Sequence, residues 1–341
     1  MANIYDVANA AGVSIATVSA VINDSAYVSP RLKRRVEEAI EQLGYQPNLL
    51  ARGLAKKESR TLAILVPNIA NPFFPDVVRG AQDKAQELGY SVLVASTDDE
   101  PEKEAEYLNV FVSKRVDGIL LTKSPGKLRN ELAERLRSTV TPVVQLIRRI
   151  AGVKGDTVQA DDRGAAFEGV AHLIRLGYRR IGVITGMSSV STTRERLAGY
   201  RQALREAGIP VRQSLIASGD YGFNSGYIAG LDLLKQAPEA VFVSNYLMAV
   251  GFIKAMQQYQ LSCPRDIAIV TCDDYPWMDC FSPRLTTIDF PKYDLGAEAA
   301  RVLIERVSAP DRPLQSVRLR NRLWIRDSCG MNLRNRKSAL G

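Results

Sequence analysis

Four cysteines and one histidine have the widest chemical repertoire in this 341-residue chain. Cys263, Cys272, Cys280 and Cys329 form no C-x-x-C pair, so their spacing offers neither a redox couple nor half of a zinc site. They read as four reduced thiols. His172, in "GVAHLIRLGY", stands alone, and one imidazole with scattered thiols makes no metal centre. It falls in a helical pattern and reads as a helix-face or core residue. No metal or other cofactor is expected. The phosphate loop G-x-x-x-x-G-K-[ST], the dinucleotide turn G-x-G-x-x-G and the nucleophile elbow G-x-S-x-G are all missing. The chain reads as a binder, not an enzyme.

The stretch "GVSIATVSAVIN", Gly12 to Asn23, is helical in pattern, small-sided and uncharged. It belongs to an N-terminal run of three short helices. Val18, Val21 and Ile22 recur at helical spacing in the second, and Leu32, Val36, Ala39, Ile40 and Leu43 in the third. Ser29-Pro30 starts the third helix and Gly44 stops it. A short helical stretch, "NLLARGLAKKES", begins at a capping Asn48.

From Thr61 the pattern changes to strands alternating with helices of about 10–15 residues, the signature of βαβ units around parallel sheets. The run "TLAILVPN", "SVLVAST", "GILLT", "PVVQLI" forms one series. A second begins at Asp161-Asp162 with "RIGVITG", "SLIASG", "AVFVSN" and "DIAIVTCDD". A helix is expected near Leu128 to Leu136. So many units imply two doubly wound subdomains. "SVRLRNRLWIR" alternates like an edge strand and leads into a basic tail. The net charge of +8 permits an anionic partner without naming one. No apolar run approaches the ~18 residues of a membrane span, and "MANIYDVANAAG" lacks a signal-peptide pattern, so a cytoplasmic protein without a membrane partner is expected.

"IYDVANAAGVSIATVSAVIN", "VSPRLKRRVEEAIEQLGYQPNLLARGLAKKES" and "LAILVPNIANPFF" resemble the LacI/GalR (lactose-repressor) family of bacterial transcription regulators. The resemblance continues through "RRIGVITG", "RERLAGY", "GDYGFNSGY", "DIAIVTCDD" and "PRLTTID", in family order over nearly the whole chain. It implies an α/β fold. An N-terminal three-helix helix-turn-helix domain (1–46) and a hinge helix with linker (47–60) precede a periplasmic-binding-protein-like core (61–330) of two doubly wound parallel-sheet subdomains. The expected N-subdomain is 61–160 with 291–318, the C-subdomain 161–290 with 319–330, and 331–341 a tail. The implied function is a transcription regulator, expected to be a repressor. It would bind double-stranded, pseudo-palindromic operator DNA as a homodimer under control of a small effector, a sugar or sugar acid. The rival is a solute-binding protein or α/β enzyme on the same core, which leaves Met1 to Gly44 without a purpose.

The second helix of a helix-turn-helix lies in the major groove. Helical spacing turns Val18, Val21 and Ile22 inward and puts Ile15, Ala16, Ser19, Ala20 and Asn23 on the opposite face. The alternative is a plain three-helix unit with a solvated outer face. Ser14 and Thr17 are candidates for helix capping and phosphate contact, Ser19 for phosphate contact, and Tyr5 matches a family position that touches the DNA backbone. Ile15, Ala16 and Ala20 match base-reading positions but can only pack on thymine methyls. In "LARGL" Leu54 matches a leucine that wedges into the minor groove, with Ala51 and Arg52 near it; the alternative for Leu54 is a core residue of a small helix. Arg31, Arg34, Arg35, Lys56, Lys57 and Arg60 are further phosphate candidates.

The resemblance also implies a ligand cleft beyond the carboxyl ends of the strands. Phe74, Tyr221, Arg196, Asn245 and Asp273 match family ligand contacts. Core packing is the alternative for Phe74 and Tyr221, and a salt-bridge network for Arg196 and Asp273. "PVVQLIRR" puts Ile147 where many members have Asp, with Arg148 next, and "SNYLMAVG" has Tyr246 in place of a second Asp. These departures predict a cleft poor in carboxylates, with Arg196 and Arg148 left to bind a sugar acid.

Overall fold

A computed structural model describes residues 2–45, 58–126 and 141–331. The chain divides into two compact units, Met1–Arg60 and Thr61–Gly341.

The first unit is built from α1 (Ile4–Ala11), α2 (Ile15–Asn23) and α3 (Pro30–Leu43). Each start has a chemical cause. Asn3 accepts the amides of Tyr5 and Asp6 at 2.8 and 3.2 Å, and Asp6 accepts the Asn3 amide at 2.8 Å, a reciprocal cap. Ser14 Oγ accepts the Thr17 amide at 3.1 Å. Pro30 opens α3. Gly12, at φ 56°, ends α1 in the left-handed region. Val7, Ala8, Ala11, Val18, Val36 and Ala39 form the core, with Val21, Ile22 and Ile40 packed against it. Leu43 was expected on that apolar stripe but is 39% exposed in the last turn of α3.

The second unit holds two six-stranded sheets. The first contains β1 (Thr61–Val66), β2 (Ser91–Ser96), β3 (Gly118–Leu121), β4 (Val143–Leu146), β5 (Asp156–Ala160) and β11 (Ser316–Leu319), in the order β11-β5-β4-β3-β1-β2. All its pairs are parallel. The second contains β6 (Ile181–Thr185), β7 (Ile216–Ser218), β8 (Ala240–Val243), β9 (Ala268–Cys272), β10 (Thr286–Asp289) and β12 (Arg322–Trp324), in the order β12-β10-β9-β8-β6-β7. Only β12 runs antiparallel, against β10. The helices are α4 (Phe73–Glu87), α5 (Pro101–Ser113), α6 (Asp162–Arg175), α7 (Ser191–Glu206), α8 (Phe223–Leu234), α9 (Tyr246–Gln258) and α10 (Lys292–Ser308). Central strands are buried along their length, as when helices cover both sheet faces.

The expected single edge strand is corrected. The chain joins the first sheet at β11, turns at Arg320-Asn321, and joins the second at β12. Asn321 Nδ2 donates to the Asp161 carbonyl at 2.7 Å, which fixes that crossing. The expected helix near 128–136 and the tail from 332 lie outside the described residues.

Glycine sets how closely α4 and α10 approach. A Cβ on Gly80 would fall 1.9 Å from the Tyr293 carbonyl oxygen, and one on Gly296 would fall 1.8 Å from that of Val77. Neither obstacle can swing aside, because both are helix backbone. Gly80→Ala should therefore cost about 3 kcal/mol or more, as overpacking that pushes two helices apart. Gly89→Ala, with open space around it and φ 77°, should cost only about 1 kcal/mol. Urea midpoints that rank the two variants the other way would refute the close-approach account.

Candidate functional site

The second unit contains a cavity of about 350 Å³. Phe74, Arg148, Arg196, Tyr221, Asn245 and Asp273 all line it. Each is delivered by a segment that follows a strand: Phe74 by the first turn of α4 after β1, and Arg148 just beyond β4. Arg196 stands in the second turn of α7 after β6, and Tyr221 follows β7. Asn245 and Asp273 follow β8 and β9. The cavity therefore sits at the carboxyl ends of strands from both sheets, where open α/β folds hold ligands.

Arg196 is 7% exposed and needs its charge balanced locally. Its Nε donates to Asp162 Oδ1 at 2.7 Å, its Nη1 donates to the Ser244 carbonyl, and its guanidinium carbon lies 4.7 Å from the centre of the Phe290 ring. Burial works against the charged form and is outweighed by the pull of Asp162, so the guanidinium stays protonated. Nη2 has no hydrogen-bond partner among the described residues. The salt bridge and the cavity wall are thus one and the same residue.

Arg148 donates Nη1 to Asp99 Oδ1 at 2.6 Å and to the Lys123 carbonyl at 2.9 Å. Asn245 caps α9, accepting the Met248 amide at 3.1 Å, while its Nδ2 donates to the Tyr221 carbonyl at 2.8 Å. The Tyr221 hydroxyl lies 3.3 Å from that of Thr192 and also bonds that of Thr193. Phe74 is buried edge-on against Phe73, with ring centres 5.3 Å apart. Five non-glycine residues of the lining have positive φ: Asp98 at 53°, Asp99 at 60°, Ile147 at 65°, Tyr221 at 72° and Asp273 at 73°. A β-branched residue there is a genuine outlier, and strain of this kind clusters at functional sites.

The expectation of a carboxylate-poor cleft is corrected. Asp98, Asp99, Asp220 and Asp273 line the cavity together with Asn68, Asn71 and Thr192. Both cavity guanidiniums already face carboxylates, so neither is a free receptor for an acidic ligand. Asp98-Asp99 follow β2, and the strand-end rule that found Asp273 would have found them too. His172 is buried on α6 with no partner for Nε2, and burial holds its pKa below the usual value. All four cysteines are free, and burial pushes the Cys263 and Cys272 thiols up to about 12. Among the described residues no group of three or more His, Cys, Asp or Glu could hold a metal ion, and no single helix is long and apolar enough to cross a membrane.

In the first unit, Ile15 is 39% exposed, Ala16 is exposed, and Ser19 and Ala20 are half-buried on α2. Ser14 and Thr17 join their hydroxyls at 2.9 Å in the cap. Tyr5, in the first turn of α1, is 64% exposed, and Asn23 ends α2. Tyr27 is 90% exposed in the loop before α3, and nothing in the sequence marks a loop aromatic as exposed. Arg34 pairs with Glu38 and Arg60 with Glu58, each at 3.0 Å. Ala51, Arg52, Leu54, Lys56 and Lys57 lie outside the described residues.

Asp273 gives a pH test. Its Oδ2 accepts the Tyr246 amide at 3.4 Å, and its Oδ1 is buried without a partner. Burial pushes this carboxyl above its usual range, against the pull of Arg196 and Lys292. A raised folded-state pKa means that the folded chain holds the proton more tightly than the unfolded one. The stability this contributes is present at low pH and lost as pH rises through the folded pKa. Asp273→Asn should therefore melt above the parent at about pH 7, with the gap closing toward about pH 4. A ligand-free melting series in which the variant is the less stable at neutral pH contradicts this reading of Asp273.

Comparison with known proteins accords with this geometry. Residues 3–48 match the family model "Bacterial regulatory proteins, lacI family", and residues 170–329 match "Periplasmic binding protein-like domain". Catabolite control protein A of Priestia megaterium is 36% identical over 328 residues, 95% of this chain and 98% of that protein. The Lac repressor dimer bound to operator and the anti-inducer ONPF superimposes with a TM-score of 0.86 at 27% identity, covering 96% of this chain and 99% of that one. The transcriptional regulator CelR in complex with cellobiose gives a TM-score of 0.72 at 30% identity, covering 96% and 100%.

Proposed function

The chain belongs to the LacI family of bacterial regulatory proteins, and on that premise we propose that it is a repressor whose cavity takes a neutral sugar. It is a DNA-binding transcription regulator and not an enzyme. Its partners are operator DNA, a small effector and a second copy of the chain. Regulation takes place in the cytoplasm. β2 is an edge strand and leaves Leu93 and Val94 exposed, an apolar edge that suits a second copy of the chain.

The observation that carries the effector reading is the lining. Four aspartates offer acceptors, two anchored guanidiniums offer donors, and Phe74 offers a ring face. Sugar hydroxyls both donate and accept, and they match such a mixed wall without bringing a charge to be neutralised. Phe74, Arg148, Arg196, Tyr221, Asn245 and Asp273 are the proposed effector residues, with Asn245 acting through the backbone of Tyr221. Binding alters DNA affinity only where the ligand prefers one arrangement of the second unit over another. Calorimetric titration with a neutral sugar and its uronic-acid counterpart should give at least about tenfold tighter binding of the neutral one, about 1.4 kcal/mol. Tighter binding of the acid would sink the neutral-sugar reading.

The proposed DNA contacts are Tyr5, Ser14, Ile15, Ala16, Thr17, Ser19, Ala20 and Asn23, with Ala51, Arg52 and Leu54 at the operator centre. Ile15, Ala16 and Ala20 meet thymine methyls, and the polar side chains meet phosphates. Ala20→Arg should shift preference toward guanine at one position per half-site, by about 1–3 kcal/mol. Operator selection that returns the parent's site unchanged would show that α2 docks otherwise.

A further inference from the structure

Most arginines of one long lysine-free stretch lie away from the cleft. Between residues 171 and 215 there are eight arginines, no lysine, and only two acids, Glu195 and Glu206. Arg196 belongs to the cavity wall, and Arg194 donates to the carbonyls of Ser188 and Ser189 at 3.1 and 2.9 Å. The topology gathers most of the others far from the cleft. α6 ends at Arg175 and β6 begins at Ile181, so Arg175, Arg179 and Arg180 lie at the amino-terminal edge of the second sheet. α7 runs back to the same edge, with Arg205 in its last turn and Arg212 just before β7. Sixteen residues of α7, about 24 Å, separate this edge from the carboxyl ends where the cleft lies.

At this edge Arg179, Arg180 and Arg212 line a cavity of about 270 Å³, completed by Ala207, Gly208, Ile209 and Pro210. No acidic side chain lines it. Arg180 is fixed in place: its Nε donates to the Ala237 carbonyl at 3.2 Å and its Nη2 to that of Gln236 at 2.5 Å. Its Nη1 is left for a ligand. The side chains of Arg179 and Arg212 have no hydrogen bond or ion pair with the described residues. Glu239 Oε2 accepts the backbone amides of Arg179 and Arg180 at 2.7 and 2.9 Å, so it fixes their main chain.

Solvated surface arginines need no concavity and no anchored member. Three guanidiniums around one cavity repel each other, and an anion there removes the repulsion. The use of arginine without lysine suits the planar, multidentate recognition of a phosphoryl group. The cavity has room for more than a bare oxyanion, and Ile209 and Pro210 supply an apolar wall for a short carbon skeleton. We propose that this pocket is a second ligand site, separate from the sugar cleft, that binds a small phosphate monoester through Arg179, Arg180 and Arg212.

The test uses the full chain, without DNA, at constant ionic strength. Thermal shift and calorimetry compare glycerol phosphate, inorganic phosphate and chloride, on the parent and on the double variant Arg179→Gln, Arg212→Gln. Both replaced side chains are exposed, so the variant should keep the parent's unliganded melting temperature and operator affinity. Saturable binding of both phosphates that chloride does not reproduce is expected, weakened at least about tenfold in the variant. Tighter binding of the ester than of inorganic phosphate supports the monoester assignment. Chloride matching the phosphates, a variant that binds them within about twofold of the parent, or inorganic phosphate outbinding the ester overturns the proposal.

Discussion

A guanidinium built into the wall of a buried cavity has to be neutralised where it stands, and much of the second unit is arranged around that constraint. Arg196 and Asp162 are 7% and 6% exposed. Removing either partner of such a pair costs about 3–5 kcal/mol, because the other is left charged and desolvated. The pair draws together the start of α6, the second turn of α7, the end of β8 through the Ser244 carbonyl, and the Phe290 ring before α10. Asp161, next in the chain, caps α6 by accepting the Gly164 amide at 3.1 Å, and its carbonyl accepts from Asn321. Two of the places where the chain passes between the sheets, at Asp161 and at Asn321, are therefore fastened beside the same ion pair.

The strained backbone follows from the same demand. A cavity at strand ends needs side chains aimed across it, and a residue leaving a parallel strand in ordinary extended geometry points to one sheet face or the other. Positive φ at Ile147, Tyr221 and Asp273 re-aims the chain just beyond β4, β7 and β9. Each such residue costs about 1–3 kcal/mol and persists only where its surroundings hold it. The holders are visible. Gln159 Nε2 donates to the Ile147 carbonyl at 3.2 Å, Asn245 Nδ2 donates to that of Tyr221, and the Asp273 amide donates to the Ile288 carbonyl at 2.9 Å. Asn245, a cavity residue by position, thus contributes through the conformation of its neighbour.

Residues tied to local pattern were legible in the sequence. Capping by Ser14, the inward set Val18, Val21 and Ile22, and the strand-end positions of Phe74, Arg196, Tyr221, Asn245 and Asp273 all follow from spacing, turn chemistry or family order. What depended on distant partners was not. Arg148 looked like a receptor for an acidic ligand because its counter-ion, Asp99, lies 49 residues earlier. The alternation through residues 316–324 is unbroken in sequence, so the change of sheet within it was expected from the family resemblance and not from periodicity. Leu43 fits the apolar period of α3, but Ile40 and Tyr45 are the residues at that end that pack against the small core.

The charge distribution bears on how such a reading helix can be specific. Residues 1–60 carry eight Lys and Arg against six Asp and Glu, so most of the chain's positive excess lies outside the unit that reads DNA. Two of those arginines already face glutamates. Phosphate contacts therefore give one copy only a modest, salt-sensitive hold, and they carry no sequence information. On the proposed docking, methyl contacts from Ile15, Ala16 and Ala20 would lack the paired hydrogen bonds that give a bidentate contact its discrimination of about 1–3 kcal/mol. Two copies on a two-fold site add their free energies, so a preference too weak to be useful in one half-site is squared in the pair. On that proposed docking a reading face of this chemistry depends on the dimer, and a ligand in the second unit would govern DNA binding without touching α2.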